Sequence, residues 1–512
     1  MTKLLDQNGA PLKLNGKSRP ELAAFFAASH NRREVRATYD AASGSSEFSN
    51  YWSAADHFDA DSAHSPAVRR TLRGRARYEV ANNGYADGIA QTYATHLVGR
   101  GPALRMLTAS QTFNQMVEKA WNRWAKACQL RRKLWTMAHA KHVDGEAFAI
   151  LRTNARLNDR VKLDLQLIEA EQCSTPMLPF QQGYIDGIRF DSQGNPIFYD
   201  VLRAHPGSGL MQSIEAEQVP ADAMLHFYKH RRPGQHRGVP ESASTLNCGA
   251  AARRFREATI AAAETAADFA ALIKSGLSPD QGADLVSPMS TLEIQKRMLT
   301  ALPMGWEATQ MKAEHPSATY ESFHKLLINE QARPKSMPFN VAACDSSSYN
   351  YASGRLDHQT YYGALDVDRE DANDQVLDKL FCAWYTEAAL VYGFTVPLVL
   401  GDFVGWDWPK HRVADVESEA NAIQTRLKSG TVTLSTIYSE AGEDFDDELV
   451  QMAADYGIDE AEMRAILRKQ IFDTGAAPEP PAPVNRDAPA ERAPAGDTAA
   501  TQEPAGNAAQ TN

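Results

Sequence analysis

A long helical pattern over residues 240–275 constrains the fold of this chain more than any other feature. Eleven of the 22 residues from 250 to 271 are alanine, the residue with the highest helix propensity. Pro240 suits the first turn of a helix, whereas Gly276 and Pro279 suit its end. At about 1.5 Å per residue, a helix of this length would extend on the order of 50 Å.

The apolar surface of this predicted helix is a narrow seam. Phe255, Ala262 and Phe269 recur every seven residues, and charged residues flank the seam. A narrow seam rich in alanine allows neighbouring helices to approach closely. We therefore expect the helix to pack against copies of itself in an assembly, with these three residues at the subunit contacts.

Strand patterns occupy a separate part of the chain. Residues 161–173 alternate leucines with polar residues, which is the period of a half-buried strand. Residues 184–204 predict a hairpin with its turn at 191–196, and residues 224–230 predict a further strand. Because helical patterns dominate the rest of the chain, the sequence predicts an α+β fold with a small β-rich domain at 145–230.

Charge and cysteine content narrow the class of protein. The chain has 53 basic and 64 acidic residues, which gives a formal net charge of −11. This excess of acid argues against a protein that coats nucleic acid through bulk charge, but it does not exclude a protein that lets DNA slide past. The five cysteines are scattered and form no CxxC pair, so neither a zinc site nor a disulfide framework is predicted.

The sequence predicts no contact with a membrane. No stretch of about 18 apolar residues occurs, and the N-terminus lacks the apolar core of a signal peptide. Residues 1–65 are rich in small and polar types and predict a loosely ordered arm. Residues 473–512 contain seven prolines and only Val484 among the larger aliphatic residues, so we expect a disordered C-terminal tail.

Motifs for nucleotide or metal chemistry are weak. Residues 9–18 resemble a phosphate-binding loop, but six residues separate the glycines instead of four, and no apolar strand precedes them. The pairs His139/His142 and His226/His230 have the spacing of metal ligands, yet we interpret them as ordinary core or surface histidines. The sequence therefore predicts no catalytic residue, no metal site, no cofactor and no enzymatic activity.

Charged clusters leave alternatives open. The carboxylates of Asp366, Asp368, Glu370, Asp371 and Asp374 could mimic the two-metal site of a nuclease, although a helix would spread them around much of its circumference. A solvated face is therefore the favoured interpretation.

Two basic stretches have no aromatic residues interleaved for stacking on bases. Arg69, Arg73 and Arg77 form a stripe along the helical pattern that begins at Pro66, and residues 229–238 form a basic turn. We favour solvated or intersubunit ion pairs for these residues over contacts with phosphate.

The order of these segments resembles the lambda-type family of phage portal proteins. Residues 73–101 carry an Arg-rich helix with a Val-Gly-x-Gly end, and residues 186–207 carry the hairpin pattern of the family. The most diagnostic segment is 219–244, in which Arg231, Gln235 and Arg237 match.

A second motif of that family lies further along the chain. Residues 345–355 resemble its Asp-x-Ser-x-x-Asn-Tyr-Ser-x-x-Arg motif through Asp345, Asn350, Tyr351 and Arg355. The matching segments extend in the same order over about 66–455.

The resemblance implies a ring, usually of twelve subunits, at one vertex of the capsid. It would serve as the channel for packaging and ejecting double-stranded DNA. The implied partners are the terminase large subunit, the major capsid or scaffolding protein, and the head-completion proteins. ATP hydrolysis and DNA cutting would belong to the terminase. We expect assembly in the bacterial host cytoplasm and a final location in the virion.

The resemblance also assigns the segments to parts of such a ring: a wing, a stem, a clip and a crown. The predicted layout is an N-terminal arm at 1–65, a helical wing region at 66–144, the β-rich domain at 145–230, a long stem helix at 240–275, a clip-like connector at 276–310, a channel or tunnel region at 311–357, a helical wing and crown region at 358–472, and the tail at 473–512.

Four basic residues near the predicted tunnel are candidates for contacts with DNA: Lys312, His315, His324 and Lys325. Contacts with phosphate alone would be weak and sensitive to salt. Two alternatives stay open beside the portal interpretation, namely another structural protein of the phage head and a metal-dependent DNA-processing nuclease.

Overall fold

The computed structural model describes residues 55–174, 183–209, 215–267, 271–275, 306–310, 320–347, 349–396, 403–411, 416–441 and 445–472. The chain divides into two compact units, Met1–Trp406 and Asp407–Asn512. Both helices and sheets are present, so the predicted α+β class is confirmed. Among the described helices, none has a stretch that is long and apolar enough to cross a membrane.

The described part of the first unit begins with helices, namely α1 (Ala60–Ala63), α2 (Pro66–Asn82), α3 (Gly84–Val98), α4 (Gln111–Ala127) and α5 (Leu130–Asp144). The helical pattern that begins at Pro66 forms two helices instead of one, because Asn83 adopts an extended backbone. The Asn83 side chain then caps α3 by accepting a hydrogen bond from the Tyr85 N–H. Gly99, with φ of 55°, follows the last residue of α3.

Two antiparallel sheets follow. In the first, β2 (Glu146–Thr153) pairs with β3 (Leu163–Ile168) on one side and β8 (Met224–Tyr228) on the other. In the second, β4 (Tyr184–Ile185), β5 (Ile188–Phe190), β6 (Pro196–Leu202) and β7 (Ala216–Pro220) pair in chain order. The hairpin predicted at 184–204 is present, and Asp191 accepts hydrogen bonds from the N–H groups of Gln193 and Asn195 in its turn.

The two sheets share one apolar core. It contains Phe148, Ile150, Ala170, Cys173, Ile188, Tyr199, Val201, Val219 and Met224. Alternate residues of a strand point to the same face, so each sheet contributes one face to this core. Burial raises the pKa of the Cys173 thiol to about 12, so this cysteine is an inert core residue.

The long helix predicted at 240–275 is shorter than expected. The helix α6 spans Leu246–Ala267, after a short 3₁₀ turn at Ala243–Thr245. Residues Ala271–Ser275 instead form strand β9, which pairs antiparallel with β10 (Trp306–Gln310). The helix propensity of the alanines is a weak local preference, and here a tertiary strand pairing overrides it.

A second long helical segment completes the first unit. After α7 (Tyr320–Ala332) and α8 (Phe339–Ala342), the helix α9 (Tyr351–Ala372) continues through a π-helical turn at Asn373–Leu377 into α10 (Asp378–Tyr392). The side chains of Trp121 and Trp124 from α4 pack against Phe381 and Trp384 from α10. Strand β1 (Ala103–Met106) pairs with β11 (Val404–Asp407).

The described part of the second unit is helical. It contains α11 (Val416–Lys428), α12 (Leu434–Ala441), α13 (Phe445–Tyr456) and α14 (Glu460–Phe472). Leu449, Ala453 and Met463 are its buried core, with Phe445 and Leu467 packed against them.

Several predicted segments lie outside the described residues. These are most of the N-terminal arm (1–54), most of the clip-like connector (276–305), the start of the tunnel region (311–319) and the C-terminal tail (473–512).

Candidate functional site

The segment 229–241, which joins β8 to the region before α6, lies between two buried groups of charged residues. The Glu146 network comprises Arg69, Arg73, Glu146, Asp186, His226 and Arg237. The Asp368 network comprises Lys141, Lys229, Glu241, Lys335 and Asp368.

Glu146 is the first residue of β2, and its side chain is fully buried. Its carboxylate accepts hydrogen bonds from Arg237 Nε at 2.9 Å and Nη2 at 2.7 Å, from His226 Nε2 at 3.0 Å and from the Gly238 N–H at 2.9 Å. Arg73 pairs with the same carboxylate. Burial alone would raise the pKa of Glu146, but the guanidinium groups of Arg237 and Arg73 hold it well below its usual value.

Arg237 connects the two sheets. Besides its bidentate pair with Glu146 of β2, its Nη1 donates to the carbonyl oxygens of Cys173, at 3.1 Å, and Asp186, while Nη2 donates to Ala170 at 3.3 Å. The planar guanidinium group carries five N–H donors in a fixed geometry, so one side chain can satisfy all these acceptors. Arg237 therefore fastens the turn before β5 to the first strand of the other sheet.

Two glycines allow the motif segment to approach this centre. A Cβ atom at Gly238 would overlap the carbonyl oxygen of Gly145 and lie 2.6 Å from the Glu146 Cβ. Gly145 itself has φ of +89°, which is unfavourable for residues with a side chain. The backbones of 145–146 and 238–239 are thus in direct contact, and larger residues would separate them.

The start of the described chain is tied to the same segment. Asp61 accepts hydrogen bonds from the His236 N–H at 3.1 Å and from His236 Nδ1 at 2.7 Å. Arg232 donates to the carbonyl oxygen of Phe58 at 2.9 Å. The contacts fix residues 58–61 on the turn at 232–236.

The Asp368 network joins four separate segments. Lys141 of α5 lies 3.3 Å from Glu241 and 3.2 Å from Asp368 of α9. Lys335 pairs with both carboxylates, and Lys229 lies 2.9 Å from Asp368. Since the side chain of Lys141 is fully buried, its charge depends on these partners.

Burial and the neighbouring charges have opposite effects on the pKa values of this network. Burial lowers the pKa of Lys335 to about 8, although Glu241 and Asp368 favour its charged form. For Asp368, burial acts to raise the pKa, but Lys335 and Lys141 hold it below its usual value. The hydroxyl of Tyr93 also donates to Asp368 at 2.9 Å. The network is a set of mutually paired charges that fastens α3, α5 and α9 to the motif segment.

The acidic cluster does not assemble into a metal site. Asp368 is buried against lysines, whereas the Asp366 side chain is 61% exposed and pairs with Arg369. Within the described residues, the group whose geometry could hold a cation is Glu169, Glu171 and His205 instead, and Arg77 already lies 2.9 Å from Glu171. This arrangement gives the nuclease alternative no geometric support.

The prediction for the arginine stripe is wrong. Arg69 and Arg73 are buried and pair with Asp186 and Glu146 of the same chain, so they are neither solvated nor intersubunit residues. Arg77 lies 2.6 Å from Asp144. The acidic partners lie about 70 to 120 residues further along the chain, so the local pattern does not reveal them.

The motif residues at 231–237 lie at the centre of the site. The Gln235 side chain accepts from the Arg231 N–H at 2.9 Å and donates to the Arg237 carbonyl at 2.8 Å, which closes the turn. Arg231 is exposed and reaches the Glu241 carbonyl at 3.5 Å.

The motif at 345–355 forms the start of α9. Asp345 accepts from the Ser347 N–H at 2.9 Å, and Asn350 caps the helix by accepting from the Ser353 N–H at 2.8 Å. Tyr351 is the first helical residue, and Arg355 is exposed.

The predicted subunit seam is partly occupied within the chain. The ring of Phe255 stacks on Tyr320 at 5.5 Å between centroids and meets Phe323 at 5.0 Å, so it packs α6 against α7. Ala262 is half-buried, and Phe269 lies outside the described residues.

The structure describes two of the four candidate DNA contacts. His324 is half-buried and stacks on Tyr320, and Lys325 lies 2.8 Å from Glu321. Neither geometry supports a contact with phosphate. Lys312 and His315 lie outside the described residues.

The sequence analysis missed Glu146, Lys141, Lys335 and Glu241 as site residues. The sequence did contain a signal for Lys141, namely its position on an apolar helix face. This face also carries Leu134, Met137 and Ala138, and all four residues are buried. A lysine on an apolar face needs a buried carboxylate partner.

Comparisons with known proteins agree with the motif positions. Residues 48–367 match the family described as "Phage portal protein, lambda family". No curated protein matches the chain.

Solved structures also match. One is the neck of an empty GTA particle computed with C6 symmetry, at 14% identity, with 72% of this chain and 93% of that chain covered and a TM-score of 0.42. Another is the neck of a native GTA particle computed with C12 symmetry, at 15% identity, 72% and 92% coverage and a TM-score of 0.42. A third is an HK97-family phage portal protein from Corynebacterium diphtheriae, at 13% identity, 62% and 99% coverage and a TM-score of 0.29.

The family match spans more than half of the chain. It contains the whole Glu146 network and the motif segment that binds it. This chain belongs to the lambda family of phage portal proteins.

Proposed function

We propose that this portal protein assembles into a closed ring of twelve subunits at one vertex of a phage capsid, and that double-stranded DNA enters and leaves through the central channel. Membership of the portal family over residues 48–367 is the observation that carries this proposal. The net charge of −11 per chain supports a conduit, because DNA would be repelled on average by the ring.

The buried networks support the proposal because they join separate elements of the subunit to one another. Arg237 fixes one sheet to the other, and Asp368 fixes α9 to α5 and to the motif segment. Charge-assisted bonds are strong and geometrically specific, so these networks fix the relative positions of the elements that they join. A closed ring repeats one subunit geometry around its axis, which a subunit with fixed element positions suits.

Because portal proteins are structural, we propose that the chemistry of packaging belongs to partners. The terminase large subunit would supply ATP hydrolysis and DNA cleavage. The major capsid or scaffolding protein would surround the ring at the vertex, and head-completion proteins would bind it after packaging. Assembly would take place in the cytoplasm of the bacterial host.

Native mass spectrometry together with negative-stain images of the purified chain tests the proposal. We expect one dominant species of about twelve chain masses, since each chain has a mass of 56.3 kDa. End-on images should show a ring with a central hole. A chain that stays monomeric at all concentrations, or that forms closed shells, would contradict the proposal.

A further inference from the structure

Two helices of the first unit each leave one face exposed. α2 packs on α3 through Ala76 and Ala90, which share a buried cluster. α9 packs on α3 through the bond from Tyr93 to Asp368 and through the ring contact of His96 with Tyr361. The opposite faces of α2 and α9 lie in solvent, as judged from the exposure of the described residues.

The exposed face of α2 is basic. A row of four exposed residues runs along the middle of this face: Ala67, Thr71, Gly74 and Tyr78. They are four, three and four positions apart, so they lie on one side of the helix. Arg70 and Arg75 flank this row on its two sides and are also exposed. The acidic residue of α2, Glu79, is buried and pairs with Arg253, so it does not offset this charge.

The exposed face of α9 is acidic and has the same spacing. Its central row is Leu356, Thr360, Gly363 and Val367, in which Leu356 is 66% and Val367 58% exposed. Asp357 flanks the row on one side, and Asp366 and Glu370 flank it on the other. Arg355 is the exposed base at the start of this face.

The glycine in each row has no evident use within its own chain. A Cβ atom at Gly74 or at Gly363 would meet no atom within 4 Å. Glycine inside a helix is less stable than alanine, so the folded chain alone would be better served by a larger residue. A glycine at the middle of an exposed row allows another helix to approach closely.

We propose that the α2 face of one subunit packs against the α9 face of the next subunit around the ring. This inference rests on the proposed function. A head-to-tail contact requires two different surfaces of the same chain that complement each other. The two faces meet this requirement, since they have opposite charge, exposed apolar residues and matching rows of three- and four-residue spacing.

Glycine replacements separate assembly from folding. At Gly74 and Gly363 an added Cβ atom meets no atom within 4 Å and both positions are exposed, so in Gly74→Leu and Gly363→Leu the thermal midpoint of the monomer should stay the same or rise. Native mass spectrometry should show that the ring species is lost in both variants. Rings of unchanged mass in both would overturn the proposal.

Charge exchange tests the pairing of the two faces. The variant Arg70→Glu with Arg75→Glu should lose the ring, and so should Asp357→Arg with Glu370→Arg. The chain that carries all four changes should form rings again, because its two faces once more have opposite charge. The matched control is Arg132→Glu with Arg156→Glu, which alters two exposed arginines elsewhere and should assemble normally.

The outcomes distinguish this inference from the proposed function. If the unchanged chain forms no ring, the proposed function fails. If the unchanged chain forms rings and the charge variants also do, the packing of these two faces is overturned while the ring stands. A fourfold variant that stays monomeric, or a control that also fails to assemble, would likewise overturn the assigned pairing.

Discussion

At the scale of single residues, the buried charges explain why the motif segment has its particular composition. Glu146 is shared by Arg73 and Arg237, whereas Glu241 and Asp368 are shared by Lys141 and Lys335. Each group is deeply buried, so any one of them would be costly without its partners.

Removal of the Glu146 charge is therefore predicted to destabilise the fold. Glu146→Gln keeps the size of the side chain but removes the counter-charge that the buried guanidinium groups of Arg73 and Arg237 share, and it leaves Arg237 with Asp186 alone. We expect a loss of about 3–5 kcal/mol in the free energy of unfolding, measured by urea denaturation.

The matched control for this variant is Glu217→Gln. Glu217 also pairs with an arginine, Arg152, at 2.7 Å, but both side chains are more than 40% exposed. This change should cost less than about 1 kcal/mol, since solvent screens an exposed pair. Equal losses in the two variants would show that the buried network does not stabilise the fold.

His226 predicts a pH dependence in the acid range. Burial lowers the pKa of His226 to about 4 in the folded state, although Glu146 favours the charged form. The unfolded state binds a proton below about 6.5 and the folded state only below about 4, so stability falls as the pH drops between these values. The full effect of this one group is about 3 kcal/mol.

The variant His226→Gln tests this assignment, because glutamine can still donate to Glu146 but does not titrate. Its unfolding free energy should change less between pH 6.5 and pH 4 than that of the unchanged protein, as judged from urea denaturation at each pH. Other buried histidines, such as His142, whose pKa burial also lowers, account for part of the remaining slope. Identical slopes in the two proteins would rule out His226 as a source.

The residues of the site were only partly predictable from the sequence. The resemblance to portal proteins pointed to Gln235 and Arg237, and both lie in the centre of the structure. Their partners could not be inferred, because the pairing of Arg237 with Glu146 spans 91 positions and no local pattern records it. Arg69 and Arg73 were misinterpreted for the same reason.

At the scale of elements, the meeting of two loops at Gly145 and Gly238 fixes where β2 begins. Gly238→Ala would push its methyl group into the Gly145 carbonyl and the Glu146 side chain. We expect a loss of about 1–3 kcal/mol in unfolding free energy, typical of overpacking, and it should appear in urea denaturation.

Gly88→Ala is the control for this variant. A Cβ atom at Gly88 in α3 meets no atom within 4 Å, so the change should stabilise the protein by up to about 1 kcal/mol through helix propensity. If Gly238→Ala were as harmless as this control, the close backbone contact would not constrain the fold.

Elements with local signals were predictable, and those defined by distant partners were not. The hairpin at 184–204 occurs because its turn residues and its strand period are both local. The predicted helix at 240–275 ends early because Ala271–Ser275 pairs with Trp306–Gln310, and this pairing has no signature in the alanine-rich sequence. The break at Asn83 between α2 and α3, by contrast, has local signals, namely the cap residue itself and Gly84 directly after it.

At the scale of the whole molecule, charge is distributed against a DNA-coating function. The side chains of Arg69, Arg73 and Arg237 are buried and form ion pairs within the chain. The exposed face of α9 carries Asp366 and Glu370. Acidic residues such as Glu146, Glu241 and Asp368 are buried as well, so the surface keeps the excess of acid that the residue counts show.

The last prediction follows from this distribution. A twelve-membered ring of chains with charge −11 would carry about −130 charges before counterions, so free duplex DNA should bind weakly. Any binding should involve phosphates alone, so it should weaken steeply between about 50 and 200 mM salt and show no preference between unrelated sequences. Fluorescence anisotropy with two labelled duplexes measures both properties.

The residues for this prediction come from the predicted tunnel region. Lys325 lies 2.8 Å from Glu321, and this pairing gives no support for a phosphate contact, whereas Lys312 lies outside the described residues and stays a predicted contact. The variant Lys312→Ala should form normal rings but bind DNA still more weakly and impair packaging or DNA retention, and Lys325→Ala is its control. Tight binding that survives about 200 mM salt and selects one sequence would contradict a conduit, because phosphate contacts alone provide neither property.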